Sequence, residues 1–318
     1  HTDNHLGIPR FKFSAGCFSS RDLELAQERI IGAVDFRDLP GSVAEEHAGR
    51  AVCRVCQLGV DGTHRGFGTG FLIAPGLMMT NHHVFENASD TQNCGAQFGY
   101  ERKQGALNTG ETFEFDAARF FVSDKDLDYA IVAVKSTSLD GTSLSRWGHQ
   151  KLIGETGKIL IGHPISIIQH PNGGPKKYAS TNNLVVDRLP DFLHYTTDTE
   201  PGSSGSPCYN NVWEVVVLHH AGVPEIINGR VMNRIGQPWN RAQGDDMINW
   251  IANEGVRVSR ILSHLASQSL TEPCLFPKSR GIWGEARWKS KRSFSPPVKA
   301  SKTSSTRSTS TTNCSTTW

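Results

Sequence analysis

The stretch TEPGSSGSPCYN, residues 199–210, contains Gly-x-Ser-Gly-x-Pro from Gly202 to Pro207. Glycine at 202 lets the backbone turn so that successive N–H groups converge on one point, and Ser204 offers a hydroxyl beside them. Such a loop can attack a carbonyl carbon and hold the resulting oxyanion on the Gly202 and Ser204 amides. A Ser/Gly-rich surface turn is the plainer alternative. A serine hydroxyl is a weak nucleophile until a base takes its proton, so a histidine is needed. LMMTNHHVF, residues 77–85, ends an apolar run on His82 and His83. Strand alternation sends the two to opposite faces, so one of them faces the site. The base in turn needs a carboxylate on its other ring nitrogen. SDKDLDYAIVAV, residues 123–134, sets Asp128 directly before an apolar strand, where a carboxylate is partly buried. Asp124 and Asp126 lie in the polar turn and are expected to be solvated.

The elements that must position these groups are short. From Ala51 to Ala221 the chain is a series of strand-like runs broken by Gly, Pro and Asn: AVCRVCQLGV, GTGFLIA, LMMTNHHVF, ARFFVS, YAIVAV, KILIGHP, NNLVVDRL, FLHYTTDT and VWEVVVLHHAG. Without interleaved helices, they point to an antiparallel barrel or sandwich rather than a parallel α/β sheet. Helix is expected at 19–31, behind a Ser19 or Ser20 cap. Near the end, Asp245 and Asp246 precede MINWIANEG, read as helix with Gly255 as its stop. Ser259 then caps a second helix, RILSHLASQ, with Ile261, Leu262 and Leu265 on one face.

Composition narrows the function. Hydrophobic residues make up 37% of the 318 and charged residues 20%, enough for a buried core. No apolar run reaches transmembrane length, so no membrane partner is expected. Seven basic residues and no acidic ones follow Glu285, leaving the preceding part mildly acidic and without a nucleic-acid footprint. From Lys291 onward 15 of 28 residues are Ser or Thr, which predicts a disordered tail. The seven cysteines lack regular spacing. Cys53 and Cys56 form a CxxC with no second pair to complete a zinc site, and are read as small buried strand residues. No metal and no organic cofactor is expected.

TNHHV, DYAIV and GSSGSP, in the order His, Asp, Ser, resemble the motifs of the chymotrypsin-like serine proteases, in particular the bacterial glutamyl endopeptidase and trypsin-like peptidase branch. The resemblance runs over about residues 50–266. It implies that His83, directly before Val, is the base rather than His82. It likewise implies Asp128 as the orienting carboxylate, and Ser204 as nucleophile rather than Ser203 or Ser206. The implied fold is two antiparallel six-stranded barrels with the site between them, His83 and Asp128 from the first and Ser204 from the second. Thr199 and His219 stand where glutamyl endopeptidases line the pocket for the residue before the cut. A hydroxyl and an imidazole can both donate to a carboxylate, so cleavage after Glu or Asp is expected. The alternative for His219 is a strand residue satisfied by the backbone. His220 occupies a position where the family often has an aromatic residue, a departure that bears on pocket shape.

ERIIGAVDF resembles a trypsin-type activation site, but the Asp that would receive the new amino group is replaced by Ser203, so that activation is not expected. IIQHPNGGPKKYA, residues 167–179, also resembles a stretch of the bacterial branch, with His170 read as the organiser of a tight Pro/Gly loop. An α/β-hydrolase using Ser204, Asp245 and His264 is set aside, because position 206 is Ser and not Gly. The histidines lack HExxH, which disfavours a metalloenzyme. A protease-like domain that only binds proteins remains the rival class.

The reading is therefore an all-β double antiparallel barrel with a C-terminal helical segment. Residues 1–47 are a lead-in with a short helix, 48–270 the protease domain, and 271–318 the basic tail. The expected function is a serine endopeptidase acting on protein or peptide substrates, with fused effector or nuclease modules in the full-length protein. His1 in place of Met marks a processed chain or a fragment, and the cytoplasm is favoured over secretion.

Overall fold

The computed structural model describes residues 36–181 and 183–268. The helix expected at 19–31, the activation-like ERII and the basic tail lie outside the described residues. Two seven-stranded antiparallel sheets make the fold. The first holds β1 (Val52–Leu58), β2 (His64–Ala74), β3 (Leu77–Thr80), β4 (Cys94–Phe98), β5 (Glu111–Glu114), β6 (Phe121–Asp124) and β7 (Tyr129–Ala133), in the order β5-β4-β1-β2-β3-β7-β6. The second holds β8 (Ser166–Gln169), β9 (Lys177–Ala179), β10 (Val185–Arg188), β11 (Phe192–Tyr195), β12 (Pro207–Tyr209), β13 (Val215–Pro224) and β14 (Trp250–Arg257), in the order β9-β8-β12-β13-β14-β11-β10. Each has one strand more than the six expected, and the edge strands are only three or four residues long. Short edges limit pairing with other chains.

Both sheets curl until an edge meets a strand near the other end. In the first, the Asp116 amide donates to Ala133 O (2.8 Å) and the Lys135 amide to Glu114 O (2.9 Å), joining the ends of β5 and β7. In the second, the Gly162 amide donates to Val185 O (2.8 Å) and the Ile165 amide to Asn183 O (3.0 Å), joining the approaches to β8 and β10.

Alternation explains why the central strands are apolar on both faces. Val52, Phe71, Ile73, Leu77, Met79 and Ile131 point into a core shared between the sheets, together with Ile168, Leu218 and Val256. Their neighbours Cys53, Val55, Leu72, Met78, Ala130 and Val132 fill the first barrel. Ile165, Ile167, Leu193, Tyr195 and Val217 fill the second. Cys53, Cys56, Cys94 and Cys208 are buried free thiols, so the CxxC is strand interior as expected. Burial pushes the Cys56 thiol up to about 11.

Among the described residues, two α-helices flank the sheets. α1 (Val43–Arg50), not foreseen, is capped by Ser42, whose hydroxyl accepts the Glu45 amide. α2 (Val258–Ser267) buries Ile261, Leu262 and Leu265 in the shared core, the face expected, but begins one residue before Ser259. None of the described helices is long and apolar enough to cross a membrane.

MINWIANEG is not a helix: residues 250–257 form β14, paired along β13 and β11. Gly255 is a mid-strand glycine, and a side chain there would collide with Leu218 O and the Tyr195 hydroxyl. KILIGHP forms turns and irregular chain rather than a strand. The whole is mostly β, two curled antiparallel sheets of the chymotrypsin-like kind.

Candidate active site

The site lies where the two sheets meet. His83 sits in the turn that follows β3, not on a strand, so the turn rather than alternation separates it from His82. His82 Nδ1 faces Ser123 Oγ at 2.6 Å. His83 Nδ1 faces Asp128 Oδ2 at 2.8 Å, and its Nε2 faces Ser204 Oγ at 2.8 Å. Because an ionised carboxylate only accepts, His83 carries its proton on Nδ1 and leaves Nε2 to receive the serine proton. The His83 backbone N–H also donates to Asp128 Oδ1 at 3.0 Å, fixing both carboxylate oxygens.

Asp128 occupies the β6–β7 turn at φ +43°, a left-handed conformation unusual for a residue with a side chain. The Asn81 amide holds it there by donating to its carbonyl at 2.8 Å. Asp124, expected to be solvated, accepts the Leu127 amide at 2.8 Å and shapes this turn, with His264 Nε2 3.5 Å away. Burial by itself raises the Asp128 carboxyl, but the facing His83 and His220 rings more than offset it and hold the acid well below the ordinary range.

Ser204 follows a turn that its sequence dictates. Pro201 and Gly202 are the central residues of Glu200–Ser203, closed by the Ser203 amide on Glu200 O at 3.0 Å, with Gly202 at φ +101°. That is a type II turn, which suits Pro first and requires Gly second. The Pro201 carbonyl accepts the Asn172 amide on one side. Since the peptide is trans, the Gly202 N–H points to the other. Among the described residues no acceptor takes the Gly202 or Ser204 amide, so both are available to an oxygen lodged beside the Ser204 hydroxyl. His170 organises the facing loop as expected, donating from Nδ1 to Gly174 O at 2.9 Å.

Thr69 of β2 ties this loop to the first sheet. Its amide donates to Ser204 O (2.9 Å) and its hydroxyl to Gly202 O (2.7 Å), while it accepts the His170 amide (3.0 Å). Gly205, at φ +87°, packs so closely on Thr69 O and Thr80 Oγ1 that no side chain fits.

Thr199 and His219 each bond to a residue of the paired strands β11 and β14. The Thr199 hydroxyl donates to Asn253 Oδ1 at 3.0 Å, and Asn253 lies opposite Tyr195 in the β11–β14 register. The Tyr195 hydroxyl reaches His219 Nδ1 at 2.8 Å across the space left by Gly255. All four side chains are buried. Burial, followed by the neighbouring His220 and His83, pushes the basicity of His219 well below normal, so it is a neutral ring.

Three site residues escaped the sequence reading. His220 Nδ1 faces Asp128 Oδ2 at 3.0 Å, and its Nε2 faces Glu254 Oε1 at 2.9 Å. Glu254 Oε2 faces His194 Nε2 at 2.7 Å. The one signal available was His220 itself, a polar ring where an aromatic residue was expected. Glu254 was hidden by reading its strand as helix.

Fold and site together define a chymotrypsin-like architecture with a Ser–His–Asp chain at the junction of its sheets. Residues 68–218 match the family model of the trypsin-like peptidase domain, a stretch that spans His83, Asp128 and Ser204. The chain is 36% identical over 255 residues to the uncharacterized protein y4fB of Sinorhizobium fredii, covering 74% of this chain and 38% of that protein. It is 28% identical over 217 residues to the secreted RxLR effector protein 73 of Plasmopara viticola, covering 62% and 52%. A probable periplasmic serine endoprotease, DegP-like, of Chlamydia pneumoniae is 27% identical over 155 residues, covering 48% and 28%. The chain thus spans about half or less of the length of these relatives. Among solved structures, the inactive form of Rv3671c from M. tuberculosis H37Rv is similar, at TM-score 0.48 and 17% identity, covering 77% of this chain and 98% of that one.

Proposed function

We propose that the protein is a serine endopeptidase whose nucleophile is Ser204, with His83 as general base and Asp128 as its orienting carboxylate. The observation that carries this reading is His83 bridging Ser204 Oγ and Asp128 Oδ2 at 2.8 Å on each side. The open Gly202 and Ser204 amides support it.

His83 takes the Ser204 proton as Oγ attacks the scissile carbonyl carbon. The oxyanion settles on the Gly202 and Ser204 amides, and His83 then protonates the leaving amine. Water, deprotonated by the same ring, releases the acyl group. Asp128 holds the His83 tautomer and balances the imidazolium that forms.

The finer proposal is a preference for Glu or Asp before the cut, read by Thr199 and His219. A neutral His219 serves as an N–H donor rather than as a cation. The Tyr195 hydroxyl orients that ring, and the Thr199 hydroxyl, whose one proton goes to Asn253 Oδ1, would turn from Asn253 to donate to the substrate carboxylate.

The test is turnover of a peptide library varied at the residue before the cut, alongside fluorophosphonate labelling. Ser204→Ala is expected to lower turnover on the order of a million-fold and to abolish labelling. Ser203→Ala should still label. Cleavage after another residue type would keep the peptidase and discard the pocket. A folded wild type that neither cuts nor labels would leave a protein-binding domain instead of an enzyme.

A further inference from the structure

A carboxylate that orients a catalytic base needs one partner, yet Asp128 has a second imidazole on the oxygen that already accepts from His83. The strand register builds this arrangement. β13 and β14 pair His219 with Gly255 and Ala221 with Glu254, leaving His220 as the extra residue of a β-bulge. The bulge releases His220 from alternation, so that His219 turns to Tyr195 and His220 turns to Asp128. On the other side of β14, Glu254 lies directly opposite His194 of β11. The result is an unbroken chain Ser204–His83–Asp128–His220–Glu254–His194, every link 3.0 Å or shorter.

Hydrogen-bond accounting fixes the charge on its middle member. Neutral imidazole has one N–H, and an ionised carboxylate can only accept. His220 presents one ring nitrogen to each of two carboxylates, at 3.0 Å and 2.9 Å. Asp128 also accepts the backbone and ring N–H groups of His83, and Glu254, which burial would raise but His194 and His220 bring down to about 2, is ionised beside His194, so both acids accept. Both His220 nitrogens are therefore donors, and the ring is a buried cation. Phe192 stacks parallel to it, 5.4 Å away at 16°, a placement that favours a cation over the ring face.

We propose that His220 and Glu254 are positioning residues for the base: His220 is a fixed imidazolium braced against Asp128, and Glu254 supplies the negative charge that keeps Asp128 effective. The inference rests on the serine-peptidase reading above. Asp128 and His220 alone carry no net charge. With Glu254 the trio carries one negative charge, which is what a lone orienting carboxylate would present to His83. The titratable groups around the ring are Asp128 from the β6–β7 turn, Glu254 from β14, His83, and its strand neighbour His219, with His194 beyond Glu254. The basicity of His220 agrees: burial lowers it, but the bonds to Asp128 and Glu254 and their charges raise it to about 9.

Two substitutions separate this role from a structural one because they act in opposite directions. Glu254→Gln leaves the His220 charge unbalanced against Asp128, so the acidic limb of the kcat/KM–pH profile should move down. His220→Gln removes the cation and leaves both carboxylates, so the limb should move up. Each shift should be about one pH unit, the size a single neighbouring charge produces. Limbs that stay put, or move together, while kcat falls would overturn the proposal.

An activity-independent measurement uses nitrogen-15 histidine spectra of the full chain carrying Ser204→Ala. Both His220 ring nitrogens should be protonated at neutral pH, and a singly protonated ring would overturn the assignment whether or not the variants fold. If wild type neither cuts peptides nor reacts with fluorophosphonate, the peptidase reading fails. The spectra would still decide the charge on His220.

Discussion

Gly202 carries two demands at once, a left-handed φ of +101° and a surface pressed against the 170–173 loop. A β-carbon there would meet Gly173 N and His170 O, so Gly202→Ala cannot keep the turn that aims its own N–H. It is expected to lower kcat by about 10²–10³ with little change in KM, the loss seen when one oxyanion donor is removed. Steady-state kinetics with a cleaved peptide checks this, and an unchanged kcat would remove Gly202 from the mechanism. Much at this scale was legible beforehand. Pro201-Gly202 announces its own turn, and His83, Asp128 and Ser204 each lie in a short local motif. Glu254 was not legible and His220 showed only as a departure from the family's aromatic position, because nothing near them in the chain shows that they meet.

The β13 bulge and the three-strand register of β11, β14 and β13 bring those two together, which places that blind spot at the scale of elements. β14 is buried nearly throughout, so it shows no polar alternation. Asp245 and Asp246 ahead of it mimic a helix start and Gly255 mimics a helix end. The opposite holds for β1, β2, β3 and β7, where apolar residues on both faces mark strands buried on both sides. α2 was legible because its stripe of Ile261, Leu262 and Leu265 is the face it buries. Truncation by Ile261→Ala, fully buried in the shared core, should cost about 2–5 kcal/mol in urea denaturation. Activity per folded molecule should be retained, since Ile261 packs in the shared core and makes none of the site's hydrogen bonds.

For the whole molecule, the buried chain of acids and imidazoles links folding to pH. His220 is raised from 6.5 to about 9, so its contribution is complete below 6.5 and is lost as pH rises through 9. Glu254 has the opposite sign. Burial raises it, but His194 and His220 bring it from 4.5 down to about 2, so its contribution is present above 4.5 and is lost as pH falls towards 2. The thermal midpoint should therefore fall as pH rises from 6.5 through 9, and fall again on the acid side, where the buried neutral rings of His219 and His170, held well below their ordinary basicity, add to the loss. In His220→Gln the alkaline decline should flatten, and a calorimetric series across pH that shows the same decline in both proteins would assign it elsewhere.

The Thr69 tether has a consequence for the chain before it is finished. The nucleophile loop belongs to the second sheet, but its carbonyls are held by the first, and the base and its acid come earlier in the sequence. A nascent or half-folded chain thus holds either an imidazole with no serine or a serine with no imidazole. If Ser204 is the nucleophile, its hydroxyl meets its base only where the two sheets close on one another. On the serine-peptidase reading, newly made copies would have no activity to turn on themselves or their neighbours until each is complete.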